Sequence, residues 1–171
     1  MSIRTMKDRM LAKLFTRFPA LVRRWAKSHK FVVNVDTPWV PFSKKLKECR
    51  VALVTTAGVH LRSQPPYNME DKEGDPTFRE IPSNASLSEL MITHNYYDHR
   101  DADLDINIVL PMERLGELQA ERIIKGMAPC HFSFMGHILG RHIDTLITRT
   151  GPEVAALLRR GGADIVFLTP A

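Results

Sequence analysis

The period of the hydrophobic positions changes several times along this chain. Ile3, Met6, Met10, Leu14, Phe18, Leu21 and Trp25 recur every three or four residues. That spacing predicts an amphipathic helix over 1–30, with Pro19 breaking it or opening a second one. Phe31–Val35 reads as a short strand. Asp36–Phe42 carries Pro38 and Pro41 and reads as extended, with Trp39 and Phe42 anchoring it on the domain. Ser43 is placed to cap a short turn through Leu46. The apolar run from Cys49 to Ala57, closed by Gly58, predicts the first strong strand.

Residues 62–83 form a long polar insertion rich in Pro, Gly, Asn and Asp, in which Thr77–Ile81 alternates like a strand. Leu87–Met91 reads as a helical turn, Met91–His94 as a strand, and 95–103 as a polar loop. Ile106–Leu110 reads as a buried strand ended by Pro111, followed by a helix over Met112–Ile123. Cys130–His137 opens after the Gly126–Pro129 turn. Residues 138–149 read as helical, and Gly151-Pro152 restarts a helix through Arg160. Ile165–Leu168 reads as a last buried strand, entered by Gly161-Gly162 and closed by Pro170. Strands alternating with helices predict an α/β, Rossmann-like fold with a mostly parallel sheet and flanking helices, preceded by a basic amphipathic helix. The expected division is 1–36 for the extension and 37–171 for the domain. There is no G-x-G-x-x-G fingerprint after the first strand and no internal repeat.

Charge sharpens that division. Residues 1–50 hold 13 Lys and Arg against 3 Asp and Glu, whereas 51–171 hold 11 against 16. The basic character therefore belongs to the N-terminal segment, and nucleic-acid binding is not expected of the domain. The basic helix admits three readings: packing on this domain or a partner subunit, which is the favoured one; attachment to an anionic membrane surface; or a transit peptide, for which an Arg-rich, acid-poor composition is right. Two cysteines are too few for a disulfide framework and point to a reducing compartment such as the cytoplasm. No apolar run approaches the ~20 residues of a membrane span.

Seven histidines and several aspartates raise the question of a metal. There is no H-E-x-x-H, and no metal site is expected. His60, His94 and His131 each follow a strand or loop at the expected carboxyl edge of the sheet, where a histidine binds a carboxylate or moves a proton. The alternative is that they hydrogen-bond loop backbone. Arg79 is a candidate carboxylate clamp or a solvated loop residue. Asp75, Asp98 and Asp105 read first as turn caps. Cys130, beside His131, is a candidate for a lowered thiol pKa or an incidental residue.

Ala57-Gly58-Val59-His60, Gly74-Asp75, Phe78-Arg79-Glu80-Ile81-Pro82, Thr93-His94 with Tyr97-Asp98, Asp105-Ile106-Asn107, Pro111 with Arg114-Leu115, Ala128-Pro129, His131, Phe134-Met135-Gly136 and Thr150-Gly151-Pro152-Glu153 form a specific combination. Over residues 37–171 it resembles the selenoprotein B component of the glycine, sarcosine and betaine reductases, and most of all its D-proline reductase branch. The resemblance implies a reductase that cleaves a C–N bond of an amino acid or amine. A pyruvoyl group on a partner subunit would form a Schiff base with the substrate amine. A selenolate would attack the activated carbon, and a dithiol donor would supply electrons, within a hetero-oligomer. In the family the strand matching Ile165–Thr169 is followed at once by selenocysteine. The expectation is therefore a selenocysteine directly after Ala171, a frame closed at a UGA codon, and a 171-residue chain without its nucleophile. His60 and His131 are the candidates for proton transfer, and Arg79, His94 and Asp98 for substrate or pyruvoyl contacts. The competing reading is a non-catalytic α/β module that docks a partner through its basic helix. A metal-dependent hydrolase using the histidine loops is the third.

Overall fold

The computed structural model describes residues 3–28 and 39–171. The expected strand at Phe31–Val35 lies outside them. The helical pattern at the N-terminus forms two helices, α1 (Ile3–Arg17) and α2 (Pro19–Ser28). Pro19 stands at the first position of α2, where its missing N–H has no helical partner to lose.

The strands are β1 (Arg50–Thr55), β2 (Val59–Leu61), β3 (Arg79–Pro82), β4 (Leu90–Ile92), β5 (Gly126–Met127), β6 (Cys130–Ser133) and β7 (Ile165–Thr169). β1 is the central strand. β7 runs parallel along one side of it, from Val51↔Ile165 to Thr55↔Thr169. β5 and β6 run parallel along the other, bonding its first and last residues. β3 lies antiparallel outside β6. β5 and β6 are in effect one strand interrupted at Ala128-Pro129, because Pro129 offers no N–H to the ladder.

Alternation along β1 divides the core between two faces. Val51 and Leu53 join Ile81, Leu110, Leu115 and the β2–β4 pair. Ala52 faces Phe132, Phe134, Val154 and Leu158. Val154 and Leu158 come from α6 (Gly151–Arg160), so one face is covered by a helix. α4 (Met112–Ala120) contributes Met112 and Leu115 to the other. The α/β reading with a mostly parallel sheet and flanking helices is borne out. One departure from a Rossmann unit is clear: β1 leads into β2, which pairs antiparallel with β4 in a separate small sheet.

Several local expectations need correction. Ile106–Leu110 is not a strand. Asp105 accepts from the Asn107 N–H and starts a 3-10 turn over Ile106–Ile108, while Val109 and Leu110 are buried as a loop end. Ser43 caps nothing, and the short turn is Leu46–Glu48 behind Lys45. Trp39 is 85% exposed and Phe42 is 55% exposed, so neither anchors the segment. Part of the 95–103 loop is helical, as α3 (Arg100–Leu104). The helix expected from Gly151-Pro152 through Arg160 is α6, with Pro152 in its first turn, but it follows the preceding helix without a break. α5 (Arg141–Thr145) passes through a π-helical turn at Leu146–Thr150 straight into α6. Pro152 supplies no N–H to the preceding turn, and a π-helical turn is one way a helix accommodates such a gap. β7 is less buried than its apolar run suggests: Phe167 is 54% and Leu168 67% exposed, and among the described residues it pairs only with β1.

Candidate active site at the carboxyl edge of the sheet

β1, β6 and β7 point their carboxyl ends the same way, and the segments that leave them are laced together. Thr56 donates to the Thr169 carbonyl at 3.1 Å, Gly58 to Phe134 at 2.9 Å, and Thr93 to Gly58 at 3.0 Å. The Ala171 N–H donates to Thr56 Oγ1 at 3.1 Å. Two glycines make this approach possible. Gly58 (φ +72°) would bring a Cβ to 2.5 Å from the Thr93 carbonyl, and Gly136 (φ +79°) to 2.5 Å from that of Thr56. Both have the left-handed backbone that disfavours other residues. Gly136 is exposed, so the edge opens to solvent there.

His94 stands behind this opening, 4% exposed. Its Nδ1 accepts from the Tyr96 N–H at 3.0 Å, which places the proton of the neutral ring on Nε2. Nε2 faces the Met135 carbonyl without closing a hydrogen bond and has no other partner. Burial lowers the His94 pKa to about 4, so the ring is neutral at physiological pH. Tyr97 packs edge-on against it at 4.6 Å and donates its hydroxyl to the Ala57 carbonyl. Tyr96 stacks on His137 at 3.7 Å, and His137 Nε2 donates to the Lys72 carbonyl. On the outer side, Leu11, Ala12, Phe15, Val22 and Trp25 of α1 and α2 enclose a cavity of about 450 Å³ with these rings.

The other sequence candidates lie elsewhere. His60 is buried on β2 with both nitrogens engaged: Nδ1 donates to the Leu61 carbonyl and Nε2 accepts from Thr93 Oγ1, each at 2.8 Å. Burial lowers its pKa. His131 is buried inside the sheet, two residues before the β6 end, where Nδ1 accepts from the Leu53 N–H at 3.1 Å. Its ring fills the rung left by the interruption between β5 and β6, and burial lowers its pKa to about 4. Both take the backbone-bonding alternative. Arg79 is engaged too, with Nε on Pro65, Nη1 on Thr77 and Phe78, and Nη2 on Pro66. Its guanidinium also lies 4.4 Å from the Tyr67 ring centre. It organises the 62–78 loop through these backbone carbonyls, rather than standing as a solvated loop residue. Asp98 holds Arg100 through both carboxylate oxygens, and that bond lowers its pKa, with Lys13 of α1 adding to the effect. The structure thus brings His94 to the sheet edge and ties His60 to it through Thr93, while His131 lies inside the sheet, Arg79 lies in the 62–78 loop, and Asp98 is paired with Arg100 near Lys13 of α1.

Asp75 accepts from Asn68 and Thr77 as a turn cap. Cys130 is not activated by its neighbour: burial and then Glu80 push its thiol up to about 11. Sequence reasoning missed Asp71, Glu73 and His142, whose ligand atoms lie within 4.8 Å of one another, a group able to hold a cation. Arg141 pairs with both carboxylates. Sequence reasoning also gave no role to Tyr96 and His137; the clustering of two tyrosines between His94 and His99 was the available signal. No helix among the described residues is long and apolar enough to cross a membrane.

No family model and no solved structure matches the chain. A curated relative does: the chain is similar to D-proline reductase subunit gamma of Acetoanaerobium sticklandii, 40% identical over 131 residues, which is 77% of this chain and 52% of that protein. The chain thus spans about half the length of the relative it matches.

Proposed function

We propose that this chain is part of a cytoplasmic D-proline reductase-type subunit that cleaves a C–N bond of a cyclic or simple amino acid. The observation that carries the reading is the 40% identity over 131 residues to a D-proline reductase gamma subunit. In this reading a partner subunit's pyruvoyl group activates the substrate amine. A selenocysteine following Ala171 attacks the carbon from which nitrogen leaves, and a dithiol donor returns the electrons.

The fold supports such a placement. Reactive groups in open α/β sheets gather beyond the carboxyl ends of parallel strands, and Ala171 lies there, bonded to Thr56. Among the described residues one side of β7 is unpaired, with Phe167 and Leu168 exposed, and it offers a place for a further strand of a polypeptide as long as the relative. An open apolar edge of this kind calls for cover.

The test is the nucleotide sequence directly after the Ala171 codon, together with the mass and selenium content of the protein isolated from its source. The expected result is a UGA codon followed by an open frame, and a selenium-containing product of nearly twice this length. A different stop codon, or a selenium-free 171-residue product, overturns the reading and favours the partner-docking module.

A further inference from the structure

We infer that the cavity between the N-terminal helices and the aromatic loop is a binding site for a small alkylammonium cation. The inference is independent of the reductase reading and stands or falls without it. Two aromatic walls enclose the space. Phe15 and Trp25 form the helical wall, their ring centres 6.4 Å apart and their planes tilted by 42°. Tyr96, stacked on His137 at 3.7 Å, and Tyr97 form the wall on the domain. The volume of about 450 Å³ is that of a small-ligand pocket and far exceeds the water-sized voids of a close-packed interior.

Charge decides what such a pocket takes. Residues 1–28 contain eight Lys and Arg and a single acidic residue, Asp8. Asp8, Leu11, Ala12 and Phe15 are spaced as one face of α1, and Ala12 is 7% exposed, so that face is turned to the domain. Asp8 is half-buried there and lines the cavity, whereas no Lys or Arg is among the described residues that line it. The sole carboxylate of a basic segment thus shares a cavity with Trp25, Phe15 and two tyrosines. The negative faces of aromatic rings attract a cation, tryptophan most strongly, and a carboxylate adds charge pairing. An alkylammonium meets both while its alkyl groups fill the apolar space. A free amino acid does not, because its own carboxylate would face Asp8 with no lining cation to receive it. The ligand class is therefore distinct from the amino-acid substrate of the proposed reaction.

The test titrates the 171-residue chain with choline and follows the choline methyl protons by NMR. Two further probes are choline's uncharged tert-butyl analogue and glycine betaine, which adds a carboxylate. Saturable binding of choline is expected, with an upfield shift of its methyl protons from the surrounding rings. The uncharged analogue and glycine betaine should each bind about tenfold more weakly or less. Asp8→Asn and Trp25→Leu should each weaken choline about fivefold. Trp25→Phe should restore most of the affinity, and Asp8→Asn should leave the uncharged analogue unaffected. The comparison of the three probes uses the wild-type chain alone, so it decides the matter even where a variant unfolds α1 and α2. Absence of saturable choline binding, equal binding of the uncharged analogue or of glycine betaine, or choline affinity unchanged in both Asp8→Asn and Trp25→Leu overturns the inference. Each of these outcomes leaves the reductase reading untouched.

Discussion

Leu53 donates its backbone N–H to Nδ1 of His131 at 3.1 Å, so an imidazole completes a rung of the central sheet. Replacing His131 by Phe leaves that amide buried without an acceptor. The expected cost is about 1–3 kcal/mol, read as a lower urea midpoint at neutral pH. An unchanged midpoint would show that the rung contributes nothing.

Acid should weaken the fold in a window set by the buried histidines. His94 and His131 have pKa values lowered from 6.5 to about 4, and His60 is lowered too. The unfolded chain then binds more protons than the folded one between pH 6.5 and 4. The stabilisation from neutral rings is complete above pH 6.5 and is lost as pH falls to 4. Each of the first two sites contributes on the order of 3 kcal/mol. The depressed carboxylates Asp75 and Asp98 act in the same direction, below their ordinary 3.8. Urea titrations from pH 7 to 4 should show a falling midpoint, with a shallower fall in His131→Phe. A flat profile over that range would exclude the effect.

Arg79→Lys should loosen the 62–78 loop. A lysine reaches one of the carbonyls that the guanidinium fork holds at Pro65, Pro66 and Phe78. The expected loss is about 1–2 kcal/mol of local stability, with earlier proteolytic cleavage within 62–78. Identical cleavage kinetics in the variant would exclude the clamp.

How far the sequence shows these features depends on where the information lies. β1, α4, α6 and the two N-terminal helices are legible because their apolar spacing is local. Ile106–Leu110 misleads because a short apolar run carries no period of its own, and the Asp105 cap decides its shape. The three candidate histidines cannot be ranked from sequence. Whether a ring is engaged depends on partners 78 residues away for His131, 33 for His60 and two for His94. Family resemblance marked the loops but not which nitrogen is left over.

Two glycines should respond to alanine in opposite ways. Gly74 has φ +91°, and a Cβ would lie 1.6 Å from the His137 carbonyl, so Gly74→Ala should cost several kcal/mol or prevent folding. Gly116 lies within α4 with nothing within 4 Å of the added carbon, so Gly116→Ala should stabilise by about 0.5–1 kcal/mol. Thermal midpoints moving in the same direction would contradict this contrast.

Neither native thiol should react readily. Cys49 is fully buried, and Cys130 is held protonated by a pKa of about 11. The thiolate is the reactive form. At pH 8 a disulfide reagent should label both only after denaturation; rapid labelling of the folded chain would contradict the burial of one and the protonation of the other.

Trp25, on α2, lines the cavity shared with Tyr96, Tyr97 and His137, whereas Trp39 is almost wholly exposed. The protein therefore carries an optical reporter and its internal reference. Whatever lifts the paired helices from the aromatic loop alters the emission of one indole and leaves the other as a constant background.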